Sequence, residues 1–152
     1  MLTSKSIFIV DDEPLHLSTS MYHLKRLGYK NIACFSSGEE CISNLDLRPD
    51  IIFLDYLMNE MNGLDTLKAI KAYHRNCFVV FVSGQDNVED ALEALKNGAV
   101  DYIVKGKDQL KLIEAALSSI REFFLTHDKN LEHQHKSFLL KNRWYNGFLS
   151  PC

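Results

Sequence analysis

The sequence lacks the features that mark membrane, secreted and nucleic-acid-binding chains. No apolar run approaches the roughly 20 residues that a transmembrane helix needs, and the first residues contain no signal-peptide apolar region. Lys and Arg together number 17 against 20 Asp and Glu, with no polybasic run, so we expect no direct contact with nucleic acid, although a partner protein could bind DNA. These absences predict a cytoplasmic protein that does not contact the membrane.

Paired cysteine motifs are also missing. The four cysteines form no CxxC pair, and Cys34, Cys41 and Cys77 lie within apolar or helical patterns. A cysteine in such a pattern behaves as a small hydrophobic residue. We therefore interpret these three as core residues and assign no function to the terminal Cys152.

Five short apolar segments predict the strands of one sheet. Residues 7–10, 51–54 and 78–82 are continuously apolar, which is typical of central parallel strands covered on both faces. Residues 32–35 and 102–104 are weaker strand candidates. The segments between and after the strands have helical apolar spacing, and the predicted helices are 14–27, 37–47, 63–73, 88–97 and 107–125.

Strict alternation of strands with helices predicts an α/β fold with a doubly wound, five-stranded parallel sheet flanked by five helices. A chain of 152 residues is ordinary for one domain, which we place at residues 1–126. The last helix carries an apolar stripe that begins at Leu110. Its end, at Ile120, Phe123 and Phe124, is predicted to run past the sheet and to need another partner.

Residues 127–152 are predicted to form a helical or irregular C-terminal extension. This segment has four basic and two acidic residues, a net charge of +2, whereas the preceding body has 13 basic and 18 acidic residues, a net charge of -5. The extension could therefore dock on the acidic surface of the body, or serve as part of a linker. Its length suggests either a single-domain protein or a piece of a longer one.

Carboxylates end two of the predicted strands. Asp11 and Asp12 follow the 7–10 strand, and Asp55 follows the 51–54 strand. If these strands are parallel neighbours, the three acids converge where such sheets bind ligands. Three converging carboxylates repel one another and raise one another's pKa, so the cluster indicates a bound hard cation, for which Mg²⁺ is the natural candidate.

Two further polar side chains lie at the same edge, where Ser83 ends the 78–82 strand and Lys105 ends the 102–104 strand. Taken alone, Asp11 and Asp12 could simply cap the helix that begins at Pro14. That interpretation explains neither Asp55 nor Lys105. The full set of strand-end residues therefore favours a reactive or ligand-binding site.

These residues, in this order, resemble the receiver domains of bacterial two-component response regulators, which have a flavodoxin-like fold. The resemblance extends over residues 5–125. The matching motifs are Val10-Asp11-Asp12-Glu13-Pro14, Asp55-Tyr56-Leu57-Met58-Asn59, Met61-Asn62-Gly63, Phe81-Val82-Ser83-Gly84, Gly98-Ala99-Val100-Asp101-Tyr102 and Val104-Lys105.

The resemblance implies that Asp55 is the phosphoacceptor. It also implies a Mg²⁺ ion held by Asp12, Asp55 and the backbone carbonyl of Leu57, with Asp11 acting largely through a bound water. Lys105 would pair with one phosphoryl oxygen. Such a protein catalyses only its own phosphorylation and dephosphorylation, so we do not expect an enzyme acting on other substrates.

The resemblance further implies a switch built on Ser83 and Tyr102. The Ser83 hydroxyl would move to hydrogen-bond the phosphoryl group, and Tyr102 would turn inward to fill the vacated space. The face that senses this change consists of the 88–97 helix, the Tyr102 strand and the last helix. Expected partners are a sensor histidine kinase or phosphotransfer protein, and an output protein or a second copy bound at that face.

The chain departs from the family pattern at two positions, where glycine and asparagine replace prolines. Gly106 stands where a proline joined by a cis peptide is usual, and because a cis bond before a non-proline residue costs about 3 kcal/mol, we predict a trans Lys105-Gly106 peptide. Asn59 replaces a common loop proline. Leu57 and Gln85 occupy positions that tune phosphoryl hydrolysis, and because leucine cannot orient water, we predict a long-lived phosphoryl group unless Gln85 does so.

Two other functional classes fit parts of the pattern. A pseudo-receiver would keep the fold and bind partners without phosphorylation; the complete set of site residues argues against it, while Gly106 leaves it open. A phosphatase of the haloacid-dehalogenase type also uses an aspartyl nucleophile, but it expects two acids in a DxD pattern, which the adjacent Asp11 and Asp12 do not form.

Overall fold

A computed structural model of the chain describes residues 2–126, which form a single parallel sheet with five helices. The strands are β1 (Ile7–Val10), β2 (Ile32–Phe35), β3 (Ile51–Leu54), β4 (Phe78–Ser83) and β5 (Asp101–Val104). The helices are α1 (Pro14–Arg26), α2 (Gly38–Ser43), α3 (Gly63–Tyr73), α4 (Val88–Lys96) and α5 (Gln109–Thr126). The doubly wound α/β fold predicted from the sequence is confirmed.

The five strands lie in the order β2-β1-β3-β4-β5, and all neighbouring pairs are parallel. The chain therefore adds β2 on one side of β1 and β3 on the other, which places the topological switch point between β1 and β3. Val10 pairs with Leu54 in the register of these two strands. Their carboxyl ends consequently finish side by side.

The continuous apolar runs divide into two cores because alternate strand residues point to opposite faces. Ile7, Ile9 and Phe53 pack against α1 and α5, whereas Phe8 and Ile52 pack against α2, α3 and α4. All four residues of β1 and all four of β3 are buried. The two covered faces explain why these strands show no polar alternation.

Side-chain caps set the starts of three helices. Ser37 accepts a hydrogen bond from the Glu40 N–H at the start of α2, and Asn62 accepts one from the Asp65 N–H at the start of α3. Asn87 accepts two at the start of α4. These caps satisfy N–H groups that have no partner within the first helical turn.

The second predicted helix is shorter than the sequence indicates. Helix α2 ends at Ser43 and is followed by a 3-10 turn, Leu45–Leu47, instead of continuing to residue 47. The Asn44 side-chain amide donates to the Glu40 carbonyl, and the Asn44 N–H bonds to the Cys41 carbonyl three residues back. Asn44 thus satisfies the last carbonyls of the helix and ends it.

The prediction that the end of α5 needs an external partner is wrong. Ile120 and Phe123 are buried in the core, and the rings of Phe123 and Phe124 lie 5.4 and 5.3 Å from the Phe78 ring. Lys5 adds a cation–π contact to Phe124, 4.3 Å from its ring centroid. Because β4 begins at Phe78, the sheet extends far enough to cover this part of α5.

The start of α5 also differs from the predicted stripe. Leu110 is 39% exposed, and the buried positions of the helix are Ile113, Ala116, Leu117, Ile120 and Phe123. None of the helices within residues 2–126 has the length and apolar character to cross a bilayer. The predicted extension at residues 127–152, with its proposed docking on the body, lies outside the described residues and stays a prediction.

Gly63 provides a test of the close packing beneath the β3 loop. A Cβ at this position would overlap the Asp55 carbonyl oxygen and the Phe81 ring, neither of which can swing away. We expect Gly63→Ala to lower the free energy of unfolding by about 2–4 kcal/mol in urea denaturation. Gly84→Ala is the matched control, because a Cβ there meets nothing within 4 Å, and its effect should stay within about 0.5 kcal/mol. Equal effects of the two substitutions would contradict this account.

Candidate functional site

The candidate site lies at the carboxyl ends of β1, β3, β4 and β5. The Asp55 N–H donates to the Val10 carbonyl at 2.9 Å, which ties the end of β3 to the end of β1. The Lys105 N–H donates to the Ser83 carbonyl at 2.6 Å, which does the same for β5 and β4. Strand pairing therefore brings together residues that are up to 94 positions apart, from Asp11 to Lys105.

The three predicted acids converge as one cluster. Carboxylate oxygens of Asp11, Asp12 and Asp55 all lie within 4.8 Å of one another, with Asp11 and Asp55 buried and Asp12 partly exposed. Oxygens bound to one Mg²⁺ at about 2.1 Å lie about 3–4 Å apart, and this ion usually keeps several waters. The cluster therefore fits a hard cation after small side-chain rotations or with one ligand bridged through water.

The environment of Asp55 opposes its ionisation. Burial of the carboxyl group is the largest cause, and the neighbouring charge of Asp11 adds to it, so the pKa of Asp55 rises to about 6. The Lys105 ammonium and the Leu57 N–H, which donates to Asp55 Oδ1 at 3.4 Å, act in the opposite direction. A cation bound among the acids would remove part of this cost.

Lys105 supplies the positive charge of the site. Its ammonium lies 2.7 Å from Asp11 Oδ2 and 3.6 Å from Asp55 Oδ2, and the side chain is only 11% exposed. The other Asp11 oxygen, Oδ1, accepts the Glu13 N–H at 2.9 Å. Asp11 is thus held by two donors, and Lys105 reaches both acids from the end of β5, across the intervening strand β4.

The residue after Lys105 behaves as the sequence indicates. There is no cis peptide bond in the part of the chain that the structure describes, so the Lys105-Gly106 bond is trans. Gly106 adopts a φ of 155°, a conformation that side-chain-bearing residues rarely adopt. Lys105 nevertheless points into the acid cluster without the usual proline.

The two predicted switch residues lie together behind the acids. Ser83 is fully buried as the last residue of β4, and its Oγ accepts the Gln85 N–H at 3.2 Å. Tyr102 is buried too, and its hydroxyl donates to the Gln85 carbonyl at 3.1 Å. Burial raises the pKa of Tyr102, while a hydrogen bond with Ser83 opposes that change. Tyr102 therefore occupies the inward position beside the hydroxyl.

An aromatic cluster connects Ser83 and Tyr102 to the loop that follows Asp55. The Tyr56 ring lies 5.3 Å from the Phe81 ring and 6.0 Å from the Tyr102 ring. Burial raises the pKa of Tyr56 to about 12, and the nearby Asp90 carboxylate of α4, hydrogen-bonded to the phenol, contributes. Tyr56, the residue after Asp55, thus contacts both Tyr102 and helix α4.

The two residues predicted to tune hydrolysis border the site from the solvent side. Leu57 is 50% exposed and Gln85 is exposed. The structure places both next to site residues, since the Leu57 N–H contacts Asp55 and the Gln85 N–H contacts Ser83. Their effect on hydrolysis, like the predicted metal contact of the Leu57 carbonyl, stays a prediction.

His16 is a site residue that the sequence analysis missed. Its Nδ1 lies 2.9 Å from Lys105 Nζ, 3.6 Å from Asp11 Oδ2 and 3.3 Å from Glu13 Oε2. Its position in the first turn of α1 could have predicted this placement. That turn follows β1 directly, so its side chains reach the same sheet edge as the acids.

Comparisons with known proteins agree with this geometry. A family model described as the response regulator receiver domain matches residues 7–117. The transcriptional regulatory protein ZraR of Escherichia coli O157:H7 is 38% identical over 67% of this chain and 23% of its own length. The chain thus spans about a quarter of the first curated relatives that it matches.

Shorter relatives are covered almost completely. The chemotaxis protein CheY of Thermotoga maritima is 31% identical over 73% of this chain and 93% of its own length. A solved complex of CheX, CheY, BeF3 and Mg²⁺ from Borrelia burgdorferi is similar in structure, with a TM-score of 0.70 at 26% identity, over 76% of this chain and 89% of that chain.

The burial of Asp55, together with the neighbouring charge of Asp11, leads to a pH-dependent stability. Because its folded-state pKa is raised from 3.8 to about 6, the folded protein binds this proton more tightly than the unfolded chain does. The resulting stability is fully present below about pH 4 and is lost as the pH rises through about 6. In EDTA at about pH 7.5 we expect Asp55→Asn to raise the free energy of unfolding by about 1–3 kcal/mol, measured by urea denaturation.

The same measurement at about pH 4 provides the control, because Asp55 is then protonated and the Asn substitution removes little charge. The gain should shrink to near zero there. A gain of the same size at both pH values would contradict an electrostatic origin.

Proposed function

This chain belongs to the response regulator receiver domain family of two-component signalling, and we propose that it accepts a phosphoryl group on Asp55. The donor is a phosphohistidine of a sensor histidine kinase or phosphotransfer protein. The observation that carries the proposal is the placement of the buried Asp55 carboxylate 3.6 Å from the Lys105 ammonium and within an acid cluster. In the transfer, an Asp55 oxygen forms a bond to phosphorus while the bond to the donor imidazole nitrogen breaks.

Lys105 and Ser83 are placed to hold the transferred group. The Lys105 ammonium lies 2.7 Å from Asp11 and forms a longer ion pair with Asp55, at 3.6 Å, so it would need only a small movement to donate to a phosphoryl oxygen on Asp55. The Ser83 hydroxyl, one strand away, would donate to another phosphoryl oxygen. Both contacts offset negative charge that develops on the phosphoryl group.

The acid cluster supports a Mg²⁺ requirement. The family binds Mg²⁺ at an acidic pocket, and the three acids here fit that donor set. We propose Asp12, Asp55 and the Leu57 carbonyl as direct ligands and Asp11 as a ligand through water. When bound, Mg²⁺ supplies charge neutralisation that lets an anionic carboxylate approach an anionic phosphoryl group.

The output is a change of surface. Phosphorylation would bias the Ser83 and Tyr102 pair, and the face formed by α4, β5 and α5 would carry the result to an output protein or a second copy. Helices α4 and α5 carry large, exposed apolar side chains, among them Val88, Leu92 and Leu110. Such residues suit reversible association. We propose no activity on other substrates.

Intact mass distinguishes this proposal from a phosphorylation-independent interaction module. We expect the parent to gain a phosphate-sized adduct with Mg²⁺ and a small acyl phosphate, and Asp55→Ala to gain none. Asp46→Ala, an exposed carboxylate on the 3-10 turn, is the control and should be modified like the parent. No adduct on the parent with either a small donor or a cognate kinase would reject the proposal and favour the interaction module.

The lifetime of the phosphoryl group depends on the residues that can orient water. Leu57 is exposed beside Asp55 and offers no hydrogen bond to an attacking water. We expect Leu57→Asn to accelerate loss of the adduct by about tenfold, followed by mass after removal of the donor. Leu47→Asn, an exposed leucine away from the site, should leave the decay unchanged. An unchanged decay for Leu57→Asn would show that another residue, such as Gln85, orients the water.

A further inference from the structure

His16 forms a direct contact with the ammonium of Lys105. Lys105 Nζ lies 2.7 Å from Asp11 Oδ2 and 2.9 Å from His16 Nδ1, both within hydrogen-bond distance, whereas Asp55 Oδ2 is farther away, at 3.6 Å. An ammonium carries three N–H donors, so two of them suffice for Asp11 and His16, and a third stays available for a group on the Asp55 side. His16 is the only uncharged side chain among them.

The chemistry of the two nitrogens determines their roles. An ammonium group has no lone pair, so at a separation of 2.9 Å the His16 Nδ1 must accept from Lys105. The proton of the neutral imidazole then lies on Nε2. It follows that the contacts of Nδ1 with Asp11 and Glu13 are not ion pairs, and that Lys105 is the dominant partner of His16.

The direction in which the Lys105 ammonium points depends on the acceptors around it. A lysine is a point charge on a flexible four-carbon stem. The backbone beyond it is Gly106, where no atom lies within 4 Å of a Cβ position. The acid closest to the ammonium is Asp11, at 2.7 Å, and not the phosphoacceptor, at 3.6 Å, so an acceptor other than Asp11 affects how far the ammonium turns toward Asp55.

We propose that His16 is a positioning residue that aims the Lys105 ammonium at the phosphoryl group on Asp55. The proposal rests on the proposed function of Asp55 as phosphoacceptor. A neutral acceptor suits this task, because it holds the ammonium without adding another negative charge to a site that already has three. His16 itself need not touch the phosphoryl group.

The kinetic test compares two substitutions that differ in one hydrogen-bond acceptor. His16→Leu removes the acceptor, whereas His16→Asn keeps an amide oxygen close to the position of Nδ1. With a small acyl phosphate and Mg²⁺, we expect His16→Leu to slow adduct formation about tenfold and His16→Asn to restore the rate to within about threefold of the parent. His23→Leu, on the same helix but in contact with Glu114, should leave the rate unchanged.

A double-mutant cycle separates positioning from a general structural role. If His16 acts through Lys105, adding His16→Leu to Lys105→Ala should change the rate less than about twofold. An equal slowing by His16→Leu in both backgrounds would overturn the proposal. So would a parent-like rate of His16→Leu in the presence of Lys105.

A nuclear magnetic resonance measurement tests the contact without phosphorylation. The Lys105 ¹⁵Nζ resonance, assigned with Lys105→Arg, should shift in His16→Leu and stay near the parent value in His16→Asn and His23→Leu. An unshifted resonance in His16→Leu would overturn the contact, even in a protein that is phosphorylated normally. A parent that shows the contact but takes no phosphoryl group would instead reject the proposed function, and with it the role of His16 in transfer.

Discussion

The candidate site depends on the attraction between one buried ammonium and a group of carboxylates that repel one another. Asp11 and Asp55 are almost fully buried, and without Lys105 their charges would be opposed by both burial and mutual repulsion. The raised pKa of Asp55 shows that Lys105 compensates only in part. The remaining imbalance makes the site receptive to a divalent cation. If every carboxylate were already paired with a cationic side chain, a divalent cation would gain less by binding there.

The sheet makes this costly arrangement possible. Both faces of β1 and β3 are covered by helices, so the two strands and their terminal acids are held rigidly by the surrounding apolar packing. The switch between β2 and β3 on either side of β1 opens a crevice at these strand ends. Gly63 lies beside this crevice, and because it has no side chain, α3 can begin directly against the Asp55 backbone. The free energy gained by packing the apolar core thus offsets the unfavourable electrostatic energy of the buried acids.

The structure also joins the site to a distant face through short contacts. Asp55 is followed by Tyr56, whose ring packs on Phe81 and Tyr102 and whose phenol reaches Asp90 of α4. Tyr102 in turn bonds to the Gln85 carbonyl, next to the Ser83 hydroxyl. A displacement of Ser83 or of the loop after Asp55 would therefore be felt by both β5 and α4. This continuity of packing gives the proposed output surface a physical connection to the acids.

The sequence determined the architecture and the membership of most of the site. Continuous apolar strands of four to six residues, separated by capped amphipathic helices, admit few other folds. Polar residues at four strand ends must meet at one edge once the strands are parallel.

The spacing of apolar residues predicted less well where individual side-chain contacts determine the end of a helix or the burial of a residue. Asn44 ended α2 early by bonding to Glu40, and Phe78 provided cover for Phe123 and Phe124. The contact between His16 and Lys105 joins residues 89 positions apart, and no local pattern encodes it. The contact forms because the folded sheet brings the start of α1 and the end of β5 to the same buried carboxylate, Asp11.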